Sequence, residues 1–256
     1  MPEPVRVAVL GLGEAGSEIG RDLVTAGADV RGYDPKRIAV EGVAVRASEA
    51  EAVADADLVL SVNSSHDALP ALLGALPGLR AGTVWADLNT SSPGVKQTLA
   101  DRAPDGVAVV DVALMSPVPG KGLRTPMLVS GGAAERYAQL LAPLGAQVTV
   151  QPGPAGAAIS RKLLRSVFYK GLAAAVVEAL TAAEAAGCAD WLRGNIGAEL
   201  AGFDEHAIDR LVEGSAQHAR RRAEEMTAAT EQLAELGVPA RIAPAARDWL
   251  VQLRDA

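Results

Sequence analysis

Hydrophobic positions along the chain follow two different rhythms, and the change between them falls near residue 153. Before it, short apolar runs rich in Val, Leu and Ala alternate with stretches in which apolar residues recur at helical spacing. The runs Val5 to Leu10, Ala28 to Asp34, Gly42 to Val45, Asp57 to Asn63, Thr83 to Asn89, Val107 to Leu114, Met127 to Ser130 and Gln147 to Gln151 read as strands. Helices are predicted from the glycine turn after the first strand to about Ala26, over Glu49 to Ala56, over Asp67 to Leu76, from Ser92-Pro93 onward, and over Ala133 to Leu144. Ser92 and Pro93 suit the N-cap and first helical positions. Strands alternating with helices of this length predict right-handed βαβ units and a mostly parallel, doubly wound sheet. After Pro152-Gly153-Pro154 no strand pattern remains, only Ala/Leu/Glu/Arg stretches punctuated by glycines. The predicted class is α/β, a Rossmann-like doubly wound sheet over 1–153 followed by a smaller all-α domain over 154–256.

Composition changes this picture little. Hydrophobic residues make up 49% and charged residues 21%, as in ordinary globular proteins, but aromatics are only 3%, so packing relies on small side chains. The net charge is −7. The one basic cluster, Arg220 to Arg222, is followed by Glu224 and Glu225 and reads as a solvated helix face with internal ion pairs. Nucleic acid is therefore not an expected partner. Cys188 is the single cysteine, which rules out an internal disulfide, fits a reducing cytoplasm, and reads as a small buried hydrophobe. Met1 is followed by Pro-Glu-Pro rather than a signal region, and no apolar run approaches the ~18 residues that span a bilayer. His66, His206 and His218 are scattered and no residue set has metal-ligand spacing, so no metal is expected. Trp191 and Trp249 sit in apolar helical contexts and read as core or interface residues.

Chemistry enters at Gly11-Leu12-Gly13-Glu14-Ala15-Gly16, which follows the first strand and opens the first helix. Gly-x-Gly-x-x-Gly in this setting suits a dinucleotide: Gly11 for a tight turn, Gly13 for close approach of backbone to pyrophosphate, and Gly16 for helix–strand packing, with the pyrophosphate at the helix N-terminus. Leu12, Glu14 and Ala15 complete the expected contact loop. Asp34 ends the second strand 23 residues after Gly11, where a carboxylate can accept from the adenosine ribose hydroxyls. That favours NAD over NADP, although Lys36 and Arg37 are placed to hold a 2′-phosphate instead. Asn63 and Ser64, at and after the end of the fourth predicted strand, are further candidates, with helix capping the other use for Ser64.

Five segments in order resemble the β-hydroxyacid dehydrogenase family, which includes 6-phosphogluconate and 3-hydroxyisobutyrate dehydrogenases. They are the glycine loop, Asp87-Leu88-Asn89-Thr90-Ser91-Ser92-Pro93, Asp111 to Pro117, Gly156 to Lys162, and His218 to Pro239. The resemblance implies hydride transfer between nicotinamide and a small polar hydroxy or carbonyl compound, with Lys162 as acid/base. It adds Asn89 and Thr90 to the cofactor contacts and implies a homodimer built on the helical domain, which would also carry substrate contacts. Ser166 and Tyr169 share the face of Lys162 at i+4 and i+7. Two departures stand out. Ser166 replaces the family's usual Asn, and Met115-Ser116-Pro117 replaces its Ser-Gly-Gly substrate loop, with Pro117 removing a backbone donor. The chain is closer to a branch with a shorter C-terminal domain. An imine reductase of the same fold and a dinucleotide-binding redox sensor without turnover are the competing readings.

Overall fold

A computed structural model describes residues 3–255. Arg6–Leu10 (β1), Glu14–Thr25 (α1), Asp29–Tyr33 (β2), Ala44–Val45 (β3), Glu49–Val53 (α2), Leu58–Ser61 (β4), Ala68–Ala75 (α3), Val84–Asp87 (β5), Pro93–Arg102 (α4), Ala108–Leu114 (β6), Met127–Ser130 (β7), Ala134–Leu141 (α5) and Val148–Val150 (β8) alternate as the spacing predicts. They form one eight-stranded sheet in the order β3-β2-β1-β4-β5-β6-β7-β8. The strands look uniformly apolar because both faces are covered, yet the period of two survives. Val7 and Val9 face one core with Ile19 and Leu23 of α1, whereas Ala8 and Leu10 face the other with Leu72 of α3 and Leu99 of α4.

The sheet is mostly parallel, as expected, with one reversal. β7 runs antiparallel to β6, and β8 pairs parallel to β7. The link between β6 and β7 contains only a 3-10 turn at Gly122–Arg124 and no crossover helix, and a parallel return requires such a crossover. Two helices are also shorter than predicted. α2 stops at Val53, where Asp55 takes φ 60, and α5 gives way at Leu141 to a 3-10 turn containing Pro143.

A 29-residue helix, Ala157–Ala185 (α6), follows, then Ala189–Ala201 (α7), Ala207–Gln217 (α8), Ala219–Glu235 (α9) and Ile242–Arg254 (α10). The chain separates into two compact units, one ending at Arg165 and one beginning at Ser166. The second unit is entirely helical, and its buried apolar residues are mostly alanines (Ala183, Ala207, Ala219, Ala223 and Ala243) with Leu233. Arg220 and Arg221 pair at i,i+4 with Glu224 and Glu225, the ion-paired face expected. Cys188, in contrast, is exposed, because it sits in the turn between α6 and α7 beside Gly187 at φ 72. Trp191 and Trp249 are 68% and 64% exposed, which excludes the core reading for both. Among the described residues no helix is long and apolar enough to cross a membrane.

Glu178 of α6 caps α10 from outside that helix. Its carboxylate accepts hydrogen bonds from the backbone N–H groups of Arg241, Ile242 (2.9 Å) and Ala243 (2.8 Å), donors that a helix start leaves unpaired. Desolvation pushes the Glu178 pKa up, but the three amides together hold it below the usual carboxylate value. The stability this group contributes is therefore present above the unfolded carboxylate pKa and is lost as pH falls through the depressed folded value. Glu178→Gln should lower the urea-unfolding free energy by about 1 kcal/mol at neutral pH. The deficit should shrink towards zero below about pH 4, as the wild-type carboxylate protonates. A deficit independent of pH would show that the charge is not what stabilises the helix start.

Candidate active site

The order of strands reverses direction between β1 and β4, so the loops at their carboxyl ends part and leave a crevice. The glycine loop fills one side of it. Gly11 takes φ +93, and a Cβ there would lie 2.4 Å from the Val62 carbonyl oxygen. A Cβ on Gly16 would lie 1.9 Å from the Gly11 carbonyl oxygen, so this glycine lets α1 lie against the turn that precedes it. Gly13 differs from both: a Cβ there would meet nothing within 4 Å, and the residue is exposed at the N-cap of α1. Two of the glycines close the turn on itself and the third leaves its outer side open.

The crevice holds a cleft of about 420 Å³, lined by Gly11, Gly13, Asp34, Lys36, Asn63 and Ser64 among others. Asp34 is 8% exposed and accepts from the Leu12 N–H (2.8 Å) and the Lys36 N–H (2.8 Å). A carboxylate has about four acceptor positions, so these bonds orient Asp34 without exhausting it. They do occupy the Leu12 amide. Glu14 is exposed and Ala15 half-buried in the first turn of α1. Asn63 donates to Ser61 Oγ at 3.1 Å. Ser64 Oγ donates to Asp67 Oδ2 at 2.6 Å and accepts from the Asp67 N–H at 3.2 Å, bonds that close the turn before α3 without capping the helix itself. An open glycine at a helix start, an oriented acid at the end of β2 and a cleft joining them fit an adenosine ribose and a pyrophosphate.

Beyond β5 the chain turns through Asn89 and Thr90. Asn89 is buried and its amide donates to Asp87 Oδ1 and to Ser61 Oγ (3.2 Å). Thr90 is exposed, and its hydroxyl accepts from Lys162 Nζ at 2.9 Å. Residues 72 apart in sequence thus meet at the carboxyl end of the sheet. Ala158 and Ile159, in the first turn of α6, pack against Ala113 of β6, which brings Lys162 there. In the loop after β6, Met115 N–H donates to the Pro126 carbonyl and Met115 O accepts from Arg165 Nη1 at 3.3 Å. Ser116 Oγ accepts from Lys121 Nζ at 3.0 Å and donates to the Pro117 carbonyl at 3.3 Å. Ser166 and Tyr169 lie further along α6, in the second unit, with Tyr169 edge-on to Phe168 at 5.2 Å.

Sequence reasoning passed over Ser61, Lys96 and Ser130. All three are buried, and each meets one of the residues above or the strand ends that carry them. Lys96 looked like any helix lysine; the signal was its place three residues before the buried Leu99 on the inward face of α4.

The sheet order and the cleft define a dinucleotide-binding protein of the doubly wound class. The model for the NAD binding domain of 6-phosphogluconate dehydrogenase matches residues 6–152, more than half the chain, and a domain of unknown function (DUF1932) matches residues 183–253. The chain belongs to the β-hydroxyacid dehydrogenase family. It is 29% identical over 191 residues to a probable 3-hydroxyisobutyrate dehydrogenase of Mycobacterium tuberculosis, an overlap of 71% of this chain and 65% of that protein. It is 27% identical over 192 residues to 3-sulfolactaldehyde reductase of Escherichia coli, covering 70% of this chain and 64% of that one. The chain thus spans slightly less than two thirds of the length of these relatives. A reductive aminase from Aspergillus terreus, solved in complex with NADPH and ethyl levulinate, shares the fold at TM-score 0.77 with 16% identity, over 98% of this chain and 93% of that one.

The glycines separate structure from binding. Gly13→Ala should fold with an unchanged melting temperature and bind NADH at least about tenfold more weakly, since the methyl group projects where the pyrophosphate would approach. Gly16→Ala should instead destabilise the fold by about 2 kcal/mol or more, because backbone must move. Calorimetric melting and NADH titration of both variants check this, and equal behaviour of the two would contradict it.

Proposed function

We propose that the chain is an NAD(P)-dependent oxidoreductase that moves a hydride between nicotinamide and a small polar hydroxy or carbonyl compound. One observation carries the reading: Lys162 Nζ reaches Thr90 Oγ1 at 2.9 Å, at the carboxyl end of β5, beside the crevice where a dinucleotide of this fold lies. The bound dinucleotide would supply or accept the hydride. Gly11, Gly13, Glu14 and Ala15 would receive its pyrophosphate, Asp34 its adenosine ribose, and Asn63, Ser64, Asn89 and Thr90 its nicotinamide half. In the reducing direction negative charge builds on the carbonyl oxygen, and the Lys162 ammonium stabilises it and delivers the proton. In the oxidising direction the neutral amine takes the hydroxyl proton. Met115, Ser116 and Pro117, with Ser166 and Tyr169, are the substrate-facing residues in this reading, and 154–256 is the substrate and dimerisation domain beside a 1–153 dinucleotide domain. Asp34 makes NAD the favoured cofactor, since its charge opposes a 2′-phosphate. The single cysteine suits the cytoplasm.

The second unit supports a homodimer. Val167, Val177, Trp191, Ile208, Val212 and Trp249 each expose well over half of their surface, large apolar side chains that a second copy would cover. Light scattering at micromolar concentration should give twice the mass of a 26.2 kDa chain; a monomer mass would remove this part of the reading.

The activity is tested with NADH and NADPH against a panel of small aldehydes, ketones and cyclic imines, each bearing or lacking an acid group. Lys162→Ala should lower kcat 100- to 10,000-fold, about the contribution of a positioned acid or base. NADH should bind about tenfold or more tightly than NADPH, and Asp34→Ala should close that gap. Turnover of imines alone, undiminished in Lys162→Ala, would shift the assignment to C=N reduction, and dinucleotide binding with no turnover of any compound would shift it to a sensor.

A further inference from the structure

Asp87 and Asp111 are register partners on the adjacent parallel strands β5 and β6, so their side chains emerge on the same face, and both are wholly buried. Burial raises the Asp87 pKa, and the Asp111 carboxylate beside it acts in the same direction. Lys96 answers them from α4 with a side chain that is 0% exposed. Its Nζ lies 2.6 Å from Asp87 Oδ2, 2.8 Å from the Asp87 carbonyl oxygen and 3.2 Å from Asp111 Oδ1. The contact with Asp111 is one of charge, since that oxygen makes no aligned hydrogen bond.

The far oxygen of Asp111 accepts from the N–H groups of Gly156 (3.1 Å) and Ile159 (2.8 Å), at the start of α6. Ser130 Oγ accepts from the Ala158 N–H at 2.9 Å beside them. One ammonium therefore ties two pieces of chain together. Through the carbonyl and carboxylate of Asp87 it holds the turn that leads to Thr90, and through Asp111 it holds the helix start that leads to Lys162. A buried ion pair is a weak source of net stability compared with apolar residues of the same volume. What this one supplies is a fixed relation between two backbone segments. Lys96 has no exposed surface, so its charge is not offered to a substrate.

We propose that Lys96 is a positioning residue, whose ion pairs with Asp87 and Asp111 set the separation of Thr90 and Lys162 and so aim the Lys162 amine. The inference rests on the reading of Lys162 as the acid/base. Lys96→Met alone leaves two buried carboxylates without a cation and can fail to fold. It is therefore made beside the double variant Asp87→Asn/Lys96→Met, in which the introduced amide still accepts from Asn89 and only one carboxyl group remains, that of Asp111, which accepts from the start of α6.

The full-length double variant is compared with wild type by melting, by titration with ADP-ribose, and by trace acetylation of lysines read by mass spectrometry. Cooperative melting and wild-type ADP-ribose affinity establish an intact nucleotide domain. The acetylation rate of Lys162 relative to Lys170 should then rise severalfold. With the best substrate of the panel, kcat should fall about 100-fold, as expected of a reacting group displaced by about 1 Å, while the dinucleotide KM stays within about twofold. A purely structural lysine would lower the melting temperature and leave both the acetylation ratio and kcat unchanged, and that result overturns the proposal. Should Lys162→Ala keep its turnover, the acid/base reading fails, yet the acetylation ratio still decides whether Lys96 sets the position of Lys162.

Discussion

A parallel sheet brings the carboxyl ends of its strands to one edge, and in this protein that alignment gathers the polar groups of the site. Leu10, Ser61, Asp87 and Asp111 are successive register partners across β1, β4, β5 and β6, and Ser130 continues the row on β7. Register partners share a face, so one apolar residue is followed by four polar ones, all buried. Buried without a partner, each would cost stability. Ser61 receives amides from Asn63 and Asn89, Asp87 and Asp111 share Lys96, and Ser130 caps α6. The row is tolerated because each member is answered by a loop or helix it thereby fixes in place.

Backbone direction completes the arrangement. Between β1 and β4 the chain switches the side on which it adds strands, and the parted loops make the crevice that the glycine turn borders. One step across the sheet, the Asp87 turn presents Asn89 and Thr90. One step further, Asp111 receives the first turn of α6, so that the helix starts within reach of Thr90. Distance along the sequence is spent on the helical layers, while the groups that meet are neighbours across strands spaced at about 5 Å.

What the sequence made legible divides along the same line. The glycine turn could be read because its requirements are local: φ +93 at Gly11 and a contact of 1.9 Å that a Cβ on Gly16 would make leave only one residue type possible. The alternation of strands and helices was equally local. The reversal of β7 was hidden, since it follows from a crossover helix that is missing rather than from a residue that is present. Lys96 was hidden for a different reason. Its role is set by two carboxylates that become neighbours only when β5 and β6 pair, and a lone lysine in a helix has the same local signature whether it faces water or a buried ion pair. Exposure in the second unit was misjudged at Cys188 because a cysteine beside a glycine turn carries no signal of depth.

The groups assigned here to cofactor and proton transfer, from the glycine turn to Lys162, all lie in the unit that ends at Arg165, whereas Ser166 and Tyr169 belong to the next. If a lysine and a bound nicotinamide are one constant pair, substrate choice is free to vary in what surrounds them. The loop after β6 is where this chain departs from the family pattern. In place of a glycine-rich stretch with open backbone donors it has Met115, whose amide is taken by Pro126, then Ser116 beside Lys121, then a proline. In the proposed reading, an acid group at this loop would meet side-chain cations rather than a backbone cradle, since Lys121 bonds Ser116 and Arg165 bonds the Met115 carbonyl. The proposed hydride chemistry and a different means of holding the substrate are therefore compatible in one fold, because the first would depend on the edge of the sheet and the second on a loop that the sheet does not constrain.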